Sequence, residues 1–308
     1  MIITKPNNLA PKACILVVDD DPLVLELLGI YLKSFGFEFA TAKNGLEAME
    51  VLKTQEFAIV ITDMTMPEVD GMQLLAHIKQ NHPHTAVIVA TGYSDSFSYT
   101  DVIRAGASDF IAKPFTSDEL EAKINRITRE NALIRKLEYL SNCDPLTELY
   151  NRRHFDLKIR EEVNRAQRQN YQLFLIMLDV DNFKAYNDKH GHQAGDLLLV
   201  ALGAILHKCT RADVDLIFRY GGDEFSVITP QTTHEQAAKV GERIIKSFAE
   251  SNFDKTGLSL GIAELFPVNG NRDEDIAKLI SRADQALYEA KATGRNRIVF
   301  SAPETPIN

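Results

Sequence analysis

The sequence predicts an α/β protein of two domains joined by a long helix, with a doubly wound parallel sheet first and an α+β domain second. Three observations predict it. Short apolar runs alternate with amphipathic helical patterns up to about residue 115, a stretch without glycine or proline follows from Ser117 to Cys143, and a Gly-Gly hairpin lies among further strands and helices from Asp144 onward. Strand–helix alternation is typical of parallel sheets with helices on both faces, and 308 residues suit two domains.

The composition restricts the class of protein. The net charge is −9, the hydrophobic fraction is 45% and the charged fraction is 25%, as in ordinary globular domains. An acidic chain disfavours broad nucleic-acid binding, which depends on cations that neutralise phosphates. No apolar run approaches the roughly 18 residues of a membrane helix, and the N-terminal segment lacks the apolar core of a secretory signal. We therefore expect a cytoplasmic protein without nucleic-acid or membrane partners.

The first predicted domain covers residues 12–130 and consists of strands that alternate with amphipathic helices. Each apolar run is short enough for a strand, and the segments between the runs repeat their apolar residues with a helical period. The predicted strands are Cys14–Val18, Phe37–Ala40, Phe57–Thr62, Ala86–Ala90 and Asp109–Ala112, and the predicted helices lie near 22–35, 44–53, 71–80 and 98–105.

Polar side chains follow four of these strands. Asp19 and Asp20 follow the first, Asp63 follows the third, Thr91 ends the fourth and Lys113 ends the fifth. Because parallel strands end at a common crevice where ligands bind, we expect these side chains to converge. Gathered carboxylates suit Mg²⁺, and a carboxylate can attack a phosphoryl group. The alternative is that these are exposed loop acids beside a lysine. That alternative accounts for any one of these residues alone, but it accounts poorly for a polar residue at each of four strand ends.

The segment Ser117–Cys143 predicts one long helix that links the two domains. Residues that suit a helical seam recur along it at steps of four and three, at Leu120, Ile124, Ile127, Asn131 and Ile134. Such a repeat is typical of a coiled coil, in which Asn131 would fix the register. We favour a dimerising stalk, and a helix packed on its own domain is the alternative.

The second predicted domain covers residues 144–302 and is built around a β-hairpin. Gly221-Gly222 joins two strands, and glycine tolerates the positive φ that such turns require. The predicted strands are Gln172–Leu178, Asp215–Tyr220, Asp223–Thr229, Leu258–Ala263 and Arg297–Phe300, and the predicted helices lie near 151–169, 182–189, 193–209, 233–249 and 275–292.

Acidic side chains of this domain stand where two neighbouring strands meet. Asp179 ends an apolar strand, and Asp223 and Glu224 begin the second hairpin strand. Acids on adjacent strands are the arrangement used in two-metal phosphoryl transfer. Lys291 and Arg295 lie four residues apart on one helical face, where they can clamp phosphates. A solvated helix end is the alternative interpretation of these two cations.

The segments ILVVDDDP, TDMTMPEVDG, VIVATG and Lys113-Pro114-Phe115 resemble the receiver domains of response regulators. The resemblance covers about residues 12–130 and implies a flavodoxin-like fold that accepts a phosphoryl group on Asp63 from a sensor histidine kinase. It implies one Mg²⁺ ion, held by Asp20, Asp63 and the Thr65 carbonyl with support from Asp19. The residues that it assigns to the response to phosphorylation are Lys113, Thr91 and the switch aromatic Phe110. It also implies a cis peptide bond at Lys113-Pro114.

The segments CDPLTELYNRR, DVDNFKAYNDKHGHQAGD, RYGGDEF, SLGIA and ADQALYEAKATGRN are similar, in order and spacing, to the GGDEF family of diguanylate cyclases. The similarity covers about residues 140–302 and implies a ferredoxin-like fold, as in nucleotide cyclases and polymerase palms. The implied activity joins two GTP molecules into cyclic di-GMP with release of two diphosphates. Each domain binds one GTP, so the reaction requires a homodimer in which two domains face each other.

The same similarity implies roles for individual residues. Two Mg²⁺ ions would be bound by Asp179, the Val180 carbonyl, Asp223 and Glu224, and Asp223 is also the proposed base. The residues implied in handling the nucleotide are Asn187 and Asp196 for guanine, His192 and Gly222 for the pocket, Lys184 for the departing diphosphate, and Lys291 and Arg295 for the outer phosphates. Asp223, Glu224 and Lys184 are thereby the expected catalytic residues.

The sequence departs from the family pattern at two places. Many members carry an Arg-x-x-Asp product-inhibition site, but here Ala212 stands at the arginine position. Arg211 is one residue displaced relative to Asp215, and Arg243 is the remaining candidate contact, so we expect weak product inhibition. Glu148 replaces the glycine of the D-x-L-T-G-L motif, and we expect a changed turn there without loss of chemistry.

Two other classes of function compete with the enzyme. A GGDEF domain that senses GTP or cyclic di-GMP without catalysis is the main alternative, although such domains usually lose the acidic signature that this sequence keeps. A DNA-binding response regulator would need a basic helix-turn-helix output, which the C-terminal motifs do not provide.

Overall fold

The structure, a computed structural model, describes residues 14–92, 99–266 and 272–302. Residues 12 and 13 at the start of the first predicted domain, and residue 98 of a predicted helix, lie outside the described residues. The chain divides into two compact units, one that ends at Glu138 and one that begins at Tyr139. Within the described ranges, no helix combines the length and the apolar character needed to cross a membrane.

The first unit alternates strands and helices. Its elements are β1 (Ile15–Val18), α1 (Pro22–Phe35), β2 (Phe39–Ala42), α2 (Gly45–Thr54), β3 (Ile59–Asp63), α3 (Gly71–Asn81), β4 (Ala86–Thr91), α4 (Tyr99–Arg104), β5 (Asp109–Ala112) and α5 (Ser117–Asn142), the last of which continues into the residues of the second unit. Side-chain caps explain where the first three helices begin. Asp21, Asn44 and Asp70 each accept a hydrogen bond from a backbone N–H of the first helical turn, which satisfies a donor that the helix itself leaves free.

The strands of the first unit form a parallel sheet in the order β2-β1-β3-β4-β5. This is the flavodoxin-like order of a doubly wound sheet, so the fold predicted for the first domain is confirmed. Side chains of a strand alternate between the two faces of the sheet, and accordingly Leu16 and Ile15 belong to separate cores on its two sides. The carboxyl ends of β1, β3, β4 and β5 lie at one edge, where the first candidate site is found.

One predicted strand of this unit is displaced by two residues. The sequence predicts a strand at Phe37–Ala40, whereas β2 covers Phe39–Ala42. Gly36 adopts a left-handed backbone with a φ of 81°, and the Phe37 N–H donates to the Leu32 carbonyl. Phe37 therefore belongs to the end of α1, because its amide satisfies a carbonyl of the last helical turn.

Helix α5 corrects the prediction of a continuous coiled-coil seam. Leu120, Ile124 and Ile127 are at most 1% exposed and pack in the core of the first unit. The alternative interpretation, a helix packed on its own domain, is therefore right for these three residues. Beyond them the helix carries exposed apolar side chains, which are Leu133, Ile134, Leu137 and Leu140. A spacing of four and three residues occurs both in a helix that packs on its own sheet and in a helix that packs on a partner. The spacing alone therefore does not distinguish the two.

The second unit contains a mixed sheet and its covering helices. Its elements are β6 (Tyr150–Asn151), α6 (Arg152–Gln169), β7 (Leu173–Asp181), α7 (Phe183–His190), α8 (His192–Cys209), β8 (Leu216–Gly221), β9 (Glu224–Pro230), α9 (His234–Ala249), β10 (Gly257–Glu264), α10 (Arg272–Ala292) and β11 (Ile298–Phe300). The sequence prediction misses β6, because a strand of two residues is too short to show a period.

The sheet of the second unit has the order β11-β10-β7-β9-β8-β6, with antiparallel neighbours from β10 to β8. With helices between β7 and β8 and between β9 and β10, this is the β-α-β-β-α-β arrangement of ferredoxin-like folds, so the predicted fold is confirmed. Along β7, Ile176 and Leu178 join one core and Leu175 and Met177 join the core that α10 also enters. Asp179 lies on the same face of β7 as Leu175 and Met177, and so does Asp181, the last residue of the strand.

Gly261 allows α10 to lie close to the sheet. A Cβ atom at this position of β10 would collide with backbone atoms of Ala283 and Leu287 in α10. No other residue type fits there without displacement of the helix. This close approach brings the last turns of α10, which carry Lys291, toward the end of β7.

Glu148 keeps a backbone conformation that favours glycine. Its φ is 59°, in the left-handed region, and its N–H donates to the Asp144 carbonyl at 2.9 Å. The changed turn expected here stays a prediction; the backbone at Glu148 is one that glycine would adopt without strain. A left-handed conformation costs a residue with a Cβ atom about 1–2 kcal/mol.

We predict that a Glu148→Gly variant is more stable than the wild type by about 0.5–1 kcal/mol, because relief of strain exceeds the extra entropy that glycine brings to the unfolded chain. The unfolding midpoint of the second unit should rise by about 2 °C in a calorimetric scan. A Glu242→Gly variant is the matched control, since Glu242 is exposed in the middle of α9. It should lower the midpoint, and a lower midpoint for Glu148→Gly as well would contradict the account.

Candidate phosphoacceptor site and candidate active site

The predicted acids of the first unit converge at the carboxyl edge of its sheet. Asp19, Asp20 and Asp63 each place a carboxylate oxygen within 4.8 Å of the others, and no other group of three potential metal-binding side chains in the described ranges comes as close. Asp19 is buried and Asp20 is exposed. Oxygen donors on short loops suit a Mg²⁺ ion, so the donor set fits the ion that the family implies.

Lys113 bridges two of these acids. Its Nζ lies 2.7 Å from Asp19 Oδ2 and 2.6 Å from Asp63 Oδ1. Burial raises the pKa of Asp63, Lys113 opposes this rise, and Asp19 adds to it. Burial acts to lower the pKa of Lys113, but its hydrogen bonds to Asp19 and Asp63 outweigh burial and raise it. The lysine therefore stays charged and neutralises part of the acid cluster.

The remaining predicted receiver residues lie on β4, on β5 and just after β3. Thr91 ends β4, and its hydroxyl donates to the Gly92 carbonyl at 3.3 Å. Phe110 lies in β5 with the Lys123 Nζ 5.4 Å from its ring centre, and Thr65 is exposed two residues beyond Asp63. The peptide bond between Lys113 and Pro114 is cis, as the resemblance to receiver domains implies.

The predicted acids of the second unit stand at the open end of β7 and β9. Asp179 lies opposite Glu224 in the antiparallel register, and the Val180 N–H donates to the Asp223 carbonyl at 3.4 Å. Asp179 is 8% exposed, whereas Glu224 is exposed. Strand pairing thus places side chains and carbonyls of the predicted metal-binding set at one end of the sheet. An all-oxygen donor set of this kind fits Mg²⁺.

Lys291 reaches this end of the sheet from α10. Its Nζ lies 2.7 Å from Asp179 Oδ2. The pKa of Asp179 is raised to about 6, mainly by burial; the Lys291 ammonium lowers it, and Asp223 and Glu224 raise it further. The folded protein therefore binds this proton more tightly than the unfolded chain does. Above about pH 6 the buried, charged carboxylate lowers the stability of the folded protein. This loss of stability diminishes as the pH falls from about 6 toward 3.8, the pKa of the carboxyl in the unfolded chain.

We predict that metal binding at Asp179 weakens below about pH 6, because the carboxylate must lose its proton to act as a ligand. In an Asp20→Asn, Asp63→Asn background, which removes two of the predicted receiver ligands, the Mn²⁺ dissociation constant should rise about fivefold between pH 6 and pH 5. Electron paramagnetic resonance of free Mn²⁺ measures it. Adding Asp179→Asn should abolish the pH step, and an unchanged dissociation constant from pH 7 to pH 5 would contradict the prediction.

The residues predicted to bind guanine lie where α7 meets α8. The Asn187 side chain abuts the Gly195 backbone so closely that a Cβ atom at Gly195 would collide with Asn187 Oδ1. Asp196, the next residue, is exposed. The Oδ1 atom of Asn187 is buried without a hydrogen-bond partner. A buried acceptor left in this state disfavours folding unless a ligand satisfies it, and guanine N–H groups can do so. Sequence reasoning identified Asn187 and Asp196 but not Gly195, whose lack of a Cβ atom leaves space for the Asn187 side chain.

The other predicted nucleotide contacts are solvent-accessible. Lys184 is exposed in α7, and His192 is exposed at the start of α8. Gly222 has a φ of 52° in the hairpin turn, and a Cβ atom there would meet nothing within 4 Å. The turn is therefore open for a phosphate chain to approach its backbone.

A residue that sequence reasoning missed holds this turn in place. Arg219 donates to the Gly222 carbonyl at 2.8 Å and to both carboxylate oxygens of Asp144, at 2.9 and 3.1 Å. Asp144 also accepts from the backbone and side chain of Thr147. Burial raises the pKa of Asp144, but Thr147 and Arg219 outweigh burial and lower it. The charged pair Arg219–Asp144 thereby ties the glycine turn to the start of the second unit.

The arginines near the predicted product site have partners within the protein. Arg211 Nη2 lies 2.6 Å from Asp215 Oδ1 and donates to the Pro230 carbonyl and to Thr232. The Asp215 side chain is fully buried in this arrangement. Arg243 donates to the Cys209 carbonyl. Both guanidinium groups are therefore used in local contacts.

A second residue, to which the sequence assigns no role of its own, is the last residue of β7. Asp181 is 3% exposed and accepts hydrogen bonds from Ser259 Oγ at 2.7 Å and from the Asn296 N–H at 2.9 Å. Arg295 Nε lies 4.0 Å from its Oδ1. The D-x-D spacing puts Asp179 and Asp181 on one face of a strand, and this is the signal in the sequence that points to a second role for the pair.

Comparisons with known proteins identify the family of each domain. The family model for the GGDEF domain of diguanylate cyclases matches residues 141–297, which is half of the chain. The model for the response regulator receiver domain matches residues 15–125.

Individual relatives extend these matches. Diguanylate cyclase DgcZ of Escherichia coli strain K12 is 37% identical over 175 residues, 54% of this chain and 56% of that protein. Response regulator PleD of Caulobacter vibrioides is 30% identical over 258 residues, 79% of this chain and 56% of that protein. The chain spans about half the length of the curated relatives it matches.

A solved structure shows the same likeness. The crystal structure of the coiled coil and GGDEF domain of DgcB from Caulobacter crescentus, in complex with c-di-GMP, matches with a TM-score of 0.53 at 26% identity and covers 60% of this chain and 98% of that chain. With both domain models matched and the sheet orders of both units in place, the chain belongs to the GGDEF family of diguanylate cyclases and carries a response regulator receiver domain ahead of its GGDEF domain.

Proposed function

We propose that this protein is a phosphorylation-controlled diguanylate cyclase, which converts two GTP molecules into cyclic di-GMP and two diphosphates as the output of a two-component system. One observation carries the proposal: Asp179 lies opposite Glu224, beside Asp223, and within 2.7 Å of Lys291. Acids and a cation at one strand end suit phosphoryl transfer. The relatives named as diguanylate cyclases and the c-di-GMP complex of DgcB support the substrate and the product.

The guanine base is proposed to bind between α7 and α8. Asn187 Oδ1 and the Asp196 carboxylate would accept hydrogen bonds from the N1–H and N2–H₂ groups of guanine. Adenine lacks these donors, so a buried acceptor would remain unsatisfied with ATP. The unpartnered state of Asn187 Oδ1 supports this selectivity for GTP.

The phosphates are proposed to lie between the hairpin turn and α10. Lys291 and Arg295 would bind the outer phosphates through charge-assisted hydrogen bonds, and Lys184 would stabilise the departing diphosphate. Gly222 leaves room for the phosphate chain, and His192 lines the pocket.

The reacting groups are proposed to lie at the strand end itself. Asp223 would accept the proton of the attacking 3′-hydroxyl, and Asp179, Glu224, Asp223 and the Val180 carbonyl would hold two Mg²⁺ ions. When bound, Mg²⁺ neutralises phosphate charge and lowers the pKa of the hydroxyl. Attack of each 3′-hydroxyl on the α-phosphate of the other GTP requires two active sites in opposition, and therefore a homodimer.

The dimer contact is proposed to involve the second half of α5. Leu133, Leu137 and Leu140 are 56%, 66% and 61% exposed and follow one another at steps of four and three. Exposed leucines with this spacing suit a parallel helix pair. The coiled coil of the DgcB structure supports the proposal that helices pair ahead of a GGDEF domain. Leu120, Ile124 and Ile127 have no part in this contact because they are buried.

The receiver is proposed to control this dimer. A histidine kinase would transfer a phosphoryl group to Asp63, with one Mg²⁺ held by Asp20, Asp63 and the Thr65 carbonyl, and Thr91 and Phe110 would respond to the new charge. Exposed apolar residues of α1, which starts beside the acid cluster, support a protein partner at this edge; they are Leu23, Leu27 and Ile30. A kinase and GTP both belong to the cytoplasm, which is the proposed location.

The activity is tested by incubation of the purified protein with Mg²⁺ and either GTP or ATP, followed by mass spectrometry of the products. We expect cyclic di-GMP from GTP and no cyclic dinucleotide from ATP. GTP binding without any product, with the receiver either phosphorylated or not, would favour the alternative of a GTP-sensing module.

We predict that product inhibition is weak, because Arg211 is engaged with Asp215, Pro230 and Thr232, and Arg243 with the Cys209 carbonyl. Release of Arg211 would leave the buried Asp215 carboxylate without its cation, which disfavours this rearrangement. Initial rates should therefore be unchanged when cyclic di-GMP is added at concentrations equal to that of the enzyme. A sub-micromolar inhibition constant would contradict this prediction.

A further inference from the structure

The loop after α10 has an unusual backbone that needs support from outside. Gly294, Arg295 and Asn296 have φ values of 127°, 61° and 46°, all in the left-handed region. Arg295 and Asn296 carry Cβ atoms, and each such residue costs about 1–2 kcal/mol in this conformation. The conformation persists only where neighbouring groups stabilise it.

Asp181 supplies this support from the end of β7. Its buried carboxylate accepts from the Asn296 N–H at 2.9 Å, and Ser259 Oγ of β10 fixes the other oxygen at 2.7 Å. The Arg295 N–H donates to the Ala290 carbonyl, which connects the same loop to the last turns of α10. The loop is thus attached to the sheet on one side and to α10 on the other.

The position of Arg295 depends on this attachment. The Arg295 side chain is half exposed and its Nε lies 4.0 Å from Asp181 Oδ1, while Lys291 contacts Asp179. The two acids of β7 therefore each hold one of the two cations. Because Asp179 and Asp181 share a strand face, the two cations are brought to the same side of the sheet.

We propose that Asp181 is a positioning residue that fixes the Gly294–Asn296 loop so that Arg295 can bind the terminal phosphates of a guanine nucleotide. The proposal rests on the proposed GTP site and adds the residue that sets its affinity for the triphosphate.

The test compares a triphosphate with a monophosphate. Dissociation constants of α,β-methylene-GTP, which cannot be cyclised, and of GMP are measured by calorimetry on the full chain with Mg²⁺. Asp181→Ala should weaken binding of α,β-methylene-GTP about tenfold, as expected for loss of one charge-assisted contact, and leave GMP binding within about twofold. Equal weakening for both nucleotides would mean a merely structural role and would overturn the proposal.

A double-mutant cycle tests whether Asp181 acts through Arg295. If it does, Asp181→Ala should have no further effect in an Arg295→Ala background, because the group that it positions is gone. Additive losses would overturn the proposal. Asp181→Asn serves as the conservative variant, since its carboxamide oxygen can accept from Asn296 and its N–H can donate to Ser259. It should bind α,β-methylene-GTP nearly as the wild type does.

Amide hydrogen exchange separates this proposal from the proposed function, because it needs no nucleotide. In the free protein the Asn296 amide should exchange slowly, and Asp181→Ala should make it exchange faster; equal rates would overturn the proposal. Failure of the wild type to bind α,β-methylene-GTP would instead count against the GTP site itself. Should Asp181→Ala not fold, Ser259→Ala provides the milder form of the test, and its unchanged triphosphate affinity would also overturn the proposal.

Discussion

Replacement of Asp179 by asparagine is expected to slow cyclic di-GMP formation by at least about 10³-fold. The carboxylate lies at the paired end of β7 and β9, opposite Glu224 and in contact with Lys291, so its loss removes an oxygen proposed to bind Mg²⁺ and frees the Lys291 ammonium. The fold should survive, because burial and two neighbouring acids hold the pKa of Asp179 at about 6 and the neutral amide relieves that strain. Initial rates at saturating GTP and Mg²⁺ measure the effect.

Asp213→Asn is the matched control for this prediction. Asp213 is an exposed acid of the same unit with a φ of 62°, a conformation that asparagine also tolerates. The same chemical change there should leave the rate within about twofold of the wild type, as is usual for surface substitutions. Retention of more than about a tenth of the wild-type rate by Asp179→Asn would contradict the assignment of Asp179 to the reacting site.

The second large effect is expected from glutamate at both Leu137 and Leu140. If these exposed leucines of α5 pair across a dimer, the substitution loses about 1.5–3 kcal/mol for each buried side chain and places like charges opposite one another. The dimer dissociation constant should rise by at least about 10³-fold, and the cyclase rate at micromolar protein should fall with it. Analytical ultracentrifugation and rate measurements over a range of protein concentrations test both outcomes.

A control with the same chemistry is Leu157→Glu, since Leu157 is 50% exposed on α6. It should change neither the dimer population nor the rate. The proposed helix contact would be wrong if the Leu137, Leu140 double variant kept wild-type dimerisation. Activity that survives in a fully monomeric variant would contradict the requirement for two opposed active sites.

The fold was predictable from the sequence because strand and helix periods are local signals. The apolar run that ends in Asp179 marks β7, and Gly221-Gly222 marks the hairpin, so both sheets follow from short-range patterns. Helix α5 shows what such local patterns do not determine. Leu120 faces its own core and Leu137 faces solvent, although both belong to steps of four and three. The sequence period shows that a helix has an apolar face but not which surface covers that face.

The site was predictable where a residue type is tied to a chemical role. Asp63 and Lys113 were expected together at strand ends and lie 2.6 Å apart. The role of Asp181 was not predictable because its partners are a hydroxyl and a backbone N–H more than seventy residues away, and a backbone donor has no sequence signature. The strain at Glu148 was likewise hidden, because a positive φ at a residue with a Cβ atom depends on contacts that only the folded chain provides.

The most direct measurement of the central claim is the rate of cyclic di-GMP formation from GTP and Mg²⁺, with and without beryllofluoride, for the wild type and for Asp63→Asn. We expect beryllofluoride to raise the rate and the dimer fraction of the wild type together, and to change neither in Asp63→Asn, which lacks the proposed phosphoacceptor carboxylate. Equal stimulation of the two proteins, or no cyclic di-GMP under any condition, would contradict a cyclase controlled by its receiver.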